Sequence, residues 1–232
     1  MTVRTPMLRL VVTLSSVVCV AARLMVAQVQ VDVAPYAGLF IPIGNVVDQT
    51  ETHWSAPTWP VSLQQKTSVV LGTRATLWLP GRLGIEETFA YSPSGTKWTT
   101  VPGSDENSSA HVITASARVL VRFGQPDAAR SVHVGGGAAL VSLGGDGYTG
   151  LRGTNRLAET VSAGATLRLG PSPVVLRLEA EDYLVRTQFQ VTCGPEGIGI
   201  CNNSLAPGTI TKAKFQNDVV LAVGVAVLSS RR

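Results

Sequence analysis

Charge is what this sequence has least of. Asp, Glu, Lys and Arg make up 15% of its 232 residues, against about 25% in an average soluble domain. That deficit argues against a chain that presents its whole outside to water. Histidine is almost missing. His53, His111 and His133 are scattered without metal-ligand spacing, so no metal centre is expected. After residue 30 there is no apolar run long enough for a membrane-spanning helix, and no stretch holds a 3.6-residue apolar period over several turns. No Lys/Arg cluster with interleaved aromatics occurs, which excludes a nucleic-acid surface. GGGAAL (135–140) and GGDG (144–147) lack the Lys-Ser/Thr of a phosphate loop, so no cofactor is expected.

The beginning of the chain reads as an export signal. Arg4 and Arg9 precede the apolar run LVVTLSSVVCVAA, which ends in small residues, and cleavage after Ala22 or Ala27 is expected. The signal is taken as 1–27 and a single domain as 28–232. Removing Arg4, Arg9 and Arg23 leaves 16 basic side chains against 15 acidic ones, so the basic character belongs mostly to the signal. Cys19 lies in the signal, and Val17 and Val18 before it do not make a lipobox. The remaining pair, Cys193 and Cys201 in TCGPEGIGICN, most simply forms a disulfide across a short Gly-rich loop of an exported chain. Metal binding is the weaker reading there, because no histidine is near.

What the sequence has is period-two alternation. In VSAGATLRL, Val161, Ala163, Ala165, Leu167 and Leu169 are apolar, and the residues between them are small or polar. After the turn GPSP, Val174, Leu176, Leu178 and Ala180 oppose Arg177, Glu179 and Glu181. Alternation of this kind marks strands with one apolar and one polar face. Eight such segments are expected at 30–42, 67–80, 82–92, 110–124, 131–143, 157–169, 173–187 and 213–228. Tight Gly/Pro turns (LPGR, GQPDAAR, GPSP) alternate with long polar connections near 43–66, 93–109, 144–156 and 188–212. An up-and-down meander has all its tight turns at one end and all its long loops at the other. The fold expected is therefore all-β, an eight-stranded antiparallel barrel.

The apolar faces run about ten residues per strand, the length a tilted strand needs to cross a bilayer. The opposite faces carry an even match of signs. Arg74, Arg118, Arg122, Arg168 and Arg177 are expected to meet Asp32, Glu86, Glu179, Glu181 and Asp218 in a lumenal charge network, with Gly72, Gly84, Gly135, Gly137 and Gly164 leaving room. A structural salt-bridge network that closes the lumen is favoured over a proton or ion path. Trp54, Trp59, Trp78, Trp98, Tyr91, Tyr148 and Tyr183 fall mostly near strand ends, where interfacial anchoring explains them.

From VDVAPYAGLFIPIGN through RLGIEETFAYSPSG to LRLEAEDYL and FQNDVVLAVGVAVL, the chain resembles the small eight-stranded outer-membrane β-barrels of the OmpA/OmpX/OmpW-like kind. The resemblance implies residence in the outer membrane, short periplasmic turns, long extracellular loops and delivery through barrel-assembly machinery. The partners it implies are outer-membrane lipid and lipopolysaccharide, with an extracellular ligand or surface not named by the sequence. It implies a structural or surface-binding role without catalysis. Two features depart from it. The chain ends VAVLSSRR, without an aromatic residue at the last outward position. Glu87 falls on the apolar face with Leu83, Ile85, Phe89 and Tyr91, so a bulge or register change is expected there. Two other classes stay open. One is a soluble exported barrel of lipocalin type, with its apolar face turned inward around a ligand. The other is a rim enzyme built on His111 with Ser108 or Ser109.

Overall fold

The structure, a computed structural model, describes residues 29–51, 59–101, 104–125, 128–170, 173–192 and 210–228. The expected export signal, His53, Trp54 and the pair Cys193 and Cys201 lie outside those residues. Twelve strands are present among them. They are β1 (Gln30–Ile43), β2 (Val47–Glu51), β3 (Trp59–Gln65), β4 (Ser68–Trp78), β5 (Leu83–Val101), β6 (Ser104–Phe123), β7 (Arg130–Gly144), β8 (Leu151–Arg152), β9 (Asn155–Arg168), β10 (Val174–Thr187), β11 (Gln190–Val191) and β12 (Lys214–Leu228). A short 3-10 turn, Asp146–Tyr148, follows β7.

Eight of these close a ring of antiparallel pairs in the order β1, β4, β5, β6, β7, β9, β10, β12 and back to β1. They are the eight segments that alternation marks in the sequence. Closure removes both sheet edges, so every strand of the ring finds backbone partners on both sides. At one end the strands are joined by tight turns, each with a glycine in the left-handed region: Gly81 (φ 105), Gly124 (φ 111) and Gly170 (φ 69). Side chains with a Cβ rarely adopt that conformation, which is why these turns are Gly-bearing.

The structure departs from the sequence expectation at the other end. The segment 93–109, expected as a polar loop, continues β5 and β6 into a long hairpin, paired from Leu83↔Val121 to Val101↔Ser104. The segment 43–66 holds β2 and β3, an antiparallel hairpin added to the upper part of β5 through Ser62↔Thr99 to Gln65↔Thr96. Along 93–109 strand formation is driven by partners rather than by an apolar stripe. Thr96 and Trp98 point inward and are buried, while polar residues take the outer face.

The expectation of a bulge at Glu87 is not met. Registers on both sides of it are continuous, Ala75↔Glu87 on β4 and Glu87↔Ala117 on β6, and the only irregularity of that pair lies between Thr99 and Val101. Glu87 therefore stays on the outer wall. Two flanking ladders fix its register, and a one-residue slip would turn the whole apolar face of β5 inward.

Inside and outside have opposite polarity to a soluble barrel. Leu71, Val119 and Val223 on the outer wall are 55%, 56% and 51% exposed, whereas Arg118 inside is 2% exposed. The interior is in two parts. Towards the tight turns it is ionic. Towards the long loops it is apolar, with Tyr36, Phe40, Val46, Leu63, Tyr183 and Phe189 packed together.

Candidate functional site in the barrel lumen

The ionic part of the lumen is assembled from four strands. Alternate residues of β4, β5, β6 and β10 point inward, which brings Arg74 and Thr76, Glu86, Arg118, and Arg177, Glu179 and Glu181 to one level. Glu86 accepts from Arg118 Nη2 at 2.5 Å, from Arg177 Nη1 at 2.6 Å and from the Thr76 hydroxyl at 2.6 Å. Glu179 is paired with Arg74, takes a hydrogen bond from Arg177 Nε at 2.7 Å and lies 3.2 Å from Arg118 Nη2. Glu181 lies 3.0 Å from Arg74 Nη2 and 3.1 Å from Arg118 Nη2, and accepts from the Tyr183 hydroxyl at 2.6 Å. The Arg74 guanidinium stacks 4.3 Å from the centre of the Tyr36 ring.

Three guanidiniums thus face three carboxylates, all of them buried. Each ion is desolvated, so each depends on the others for its hydrogen bonds. His133 completes the group, and its metal-free, isolated look in the sequence gave no hint of that. Its Nε2 lies 3.0 Å from Arg177 Nη2. It also lies 3.3 Å from Glu179 Oε2, so the ring sits between the guanidinium and the carboxylate. The three guanidiniums and the three carboxylates match in number.

Small residues make the space. A Cβ at Gly84 would lie 2.7 Å from the Trp78 ring, and one at Gly164 would lie 2.5 Å from the His133 ring. Glycine at these two positions lets a large ring lie flat on the neighbouring strand.

Four of the charges singled out in the sequence stand apart from the cluster. Arg122 lies nearer the tight turns, 3.6 Å over the Trp78 ring, and the Trp78 indole donates to Asp32 at 2.8 Å. Arg168 is half-buried at the mouth of the barrel beside Gln30, Ser131 and Thr166. Asp218 sits on the other side, among the apolar residues, where it accepts from Gln216 at 2.6 Å. All four have the correct parity to point inward, but they occupy other heights than the cluster. The barrel thus brings Arg74, Glu86, Arg118, Arg177, Glu179 and Glu181 together and leaves Asp32, Arg122, Arg168 and Asp218 outside. Sequence reasoning missed Thr76, Tyr36, Tyr183 and His133, which share the inward parity of their strands.

Above the cluster the lumen is filled by the apolar group, and the long-loop end folds over it. Trp98 donates to the Gly147 carbonyl at 3.0 Å and Tyr148 donates to Gln65 at 2.9 Å, fastening the 3-10 turn to β5 and β3. At the rim, the Ser109 hydroxyl donates to Asp146 at 2.8 Å, and His111 packs on Tyr91 with ring centres 5.9 Å apart. The Ser-His pairing considered from the sequence is therefore replaced by these two separate contacts. No group of three or more His, Cys, Asp or Glu among the described residues could hold a metal ion.

No family model matches the chain, and no curated protein matches it in sequence. Solved structures match it in fold. Outer membrane protein AlkL, determined by solid-state NMR in DMPC lipid bilayers, is 13% identical with a TM-score of 0.52, over 86% of this chain and 90% of that one. The E. coli outer membrane protein W is 13% identical with a TM-score of 0.48, over 87% and 97%. Neisserial surface protein A is 11% identical with a TM-score of 0.48, over 86% and 98%. The chain has the fold of the small eight-stranded outer-membrane β-barrels.

Proposed function

We propose that the chain is an outer-membrane barrel that is closed to solutes and acts through its long-loop end as a structural or surface-binding protein. The closed lumen carries this reading. Buried ion pairs and an apolar layer stacked on them fill the cross-section of the lumen, which supports a barrel without a solute path along its axis. The membrane part of the reading is supported by the polarity of the wall. On β6, the outward residues from Ile113 to Phe123 are all apolar. At about 3.3 Å per residue and a tilt of about 40°, that stretch spans roughly 25 Å, the height of a lipid-facing band. A lipocalin-like barrel would need the reverse, with valines and leucines inside and guanidiniums in water.

In this orientation the tight turns lie in the periplasm. The sheet extended by β2, β3 and the upper parts of β5 and β6 lies outside, and it presents the surface for an extracellular ligand or for lipopolysaccharide. Two measurements test the proposal. The expressed chain should fractionate with outer membranes and show heat-modifiable gel mobility. The purified monomer in a planar bilayer should stay at baseline conductance, and stable large single-channel currents would overturn the closed lumen.

A further inference from the structure

Among the described residues, Glu87 is the one acidic side chain on the outer wall in the tight-turn half. Starting from Leu83, it is four residues into β5, about 10 Å up a strand tilted by about 40°. That depth is near the middle of a band about 25 Å tall, out of reach of lipid headgroups. Glu87 has no hydrogen-bond or ionic partner among the described residues. A lipid-facing carboxyl without a partner is a standing cost, and its register excludes escape into the lumen.

The wall around it is concave. Ala75, Ala115, Ala117 and Ala138 floor a groove of about 440 Å³ bounded by Phe89 and Leu140. The ladder row through Glu87 climbs in one direction only. It runs up through Ala117 and Ala138 to Glu159, and down through Ala75 and Val33 to Val227. Thr73 lies one strand down that slope and two residues up β4, so the two steps nearly cancel. With strands about 4.8 Å apart, Thr73 and Glu87 stand within roughly 2 Å of the same height and about 8 Å apart around the wall. Thr73 is outward, exposed and without a partner among the described residues. A donor and an acceptor, both unpaired, thus lie side by side at one depth.

We infer that this groove is the contact surface for a second copy of the chain, related by a two-fold axis along the membrane normal. This inference rests on the membrane reading above. Such an axis exchanges positions at equal height, so Glu87 accepts from the partner subunit's Thr73, and Thr73 donates to the partner subunit's Glu87. The alanines let the two walls approach closely, as small residues do between membrane segments. No other outward side chain of the chain offers a donor at this depth among the described residues, so the reciprocal pair selects this face.

The test uses the full chain in phosphatidylcholine liposomes, with two populations labelled at the N-terminal amine and association read by energy transfer across protein-to-lipid ratios. Wild type should associate with dimer stoichiometry, and Glu87→Gln, which keeps the acceptor, should do the same. Glu87→Leu and Thr73→Val should weaken association at least tenfold while the heat-shifted gel band remains that of a folded barrel. Glu87→Leu makes the wall more apolar, so its barrel should be no less stable than wild type, an outcome that a merely structural role for the carboxyl would not give. A folded wild type that is monomeric at every ratio, or a Glu87→Leu variant that associates as tightly as wild type, would overturn the inference. A chain that folds in water without lipid or detergent would instead remove the membrane reading on which it rests.

Discussion

Towards the tight turns the lumen is held by Arg74, Arg118 and Arg177 against Glu86, Glu179 and Glu181. Towards the long loops it is held by Tyr36, Phe40, Val46, Leu63 and Phe189. Both halves are buried, and both fill the same cross-section. They differ in how damage spreads. In the ionic half each group answers to two or three others, so removing one leaves its partners charged and unpaired. In the apolar half a truncated side chain loses only its own contacts.

The largest expected effect follows from that difference. Arg118→Ala should destabilise the folded barrel by about 3 to 5 kcal/mol, because Glu86, Glu179 and Glu181 all lose a partner in a buried site. Urea unfolding in lipid vesicles would measure it. Replacing Glu86 together with Arg118 by Gln and Met should cost less than the sum of the two single changes, since one charge of each sign is withdrawn. Strict additivity in that cycle would mean that the ions act independently.

A smaller effect is expected in the apolar half. Leu63→Ala, at a fully buried position, should cost about 2 to 3 kcal/mol through lost burial and the cavity left behind. Combined with Arg118→Ala in the same unfolding assay, it should add independently, because the two sites share no partner. A strong coupling would merge the two halves into one unit.

The smallest effect lies outside the barrel. On the extended hairpin, hydrogen bonds from Lys97 and Thr99 hold the Asp105 carboxyl below its ordinary range. A lowered carboxylate contributes stability above its unfolded value and loses it as the pH falls through the folded one. Lys97→Ala should therefore move the Asp105 titration back up, as followed by NMR, with no measurable change in the unfolding midpoint, since the pair is exposed and screened.

The ring of eight strands was legible in the sequence because alternation records which side of the wall each residue faces. Val161 to Leu169 and Val174 to Ala180 needed nothing more. Parity does not record height. Arg168 and Asp218 share the inward parity of Arg177, but the stagger of the barrel puts them at the mouth and in the apolar half, and pairs such as Arg74 with Glu179 meet across a sequence separation of 105. The strands β2 and β3 were illegible for another reason. VDQTE has no apolar stripe, and WPVSLQQ has only the short alternation Trp59, Val61, Leu63 beside a proline, and they pair as a hairpin where the upper part of β5 offers a ladder. Glu87 shows the converse. A local rule called for a bulge, and two intact neighbouring ladders overrode it.

The division of the cluster between strands also sets an order of events. The strands from β4 to β6 contribute Arg74, Glu86 and Arg118, a surplus of one positive charge, while β10 contributes Arg177, Glu179 and Glu181, a surplus of one negative charge. A half-assembled sheet ending at β7 exposes an unmatched guanidinium on the face that must become the interior. Only docking of the later hairpin neutralises it. Burial of the inner face is therefore tied to the arrival of β10, because an intermediate without it would have to bury an unmatched guanidinium before β12 can close the ring on β1.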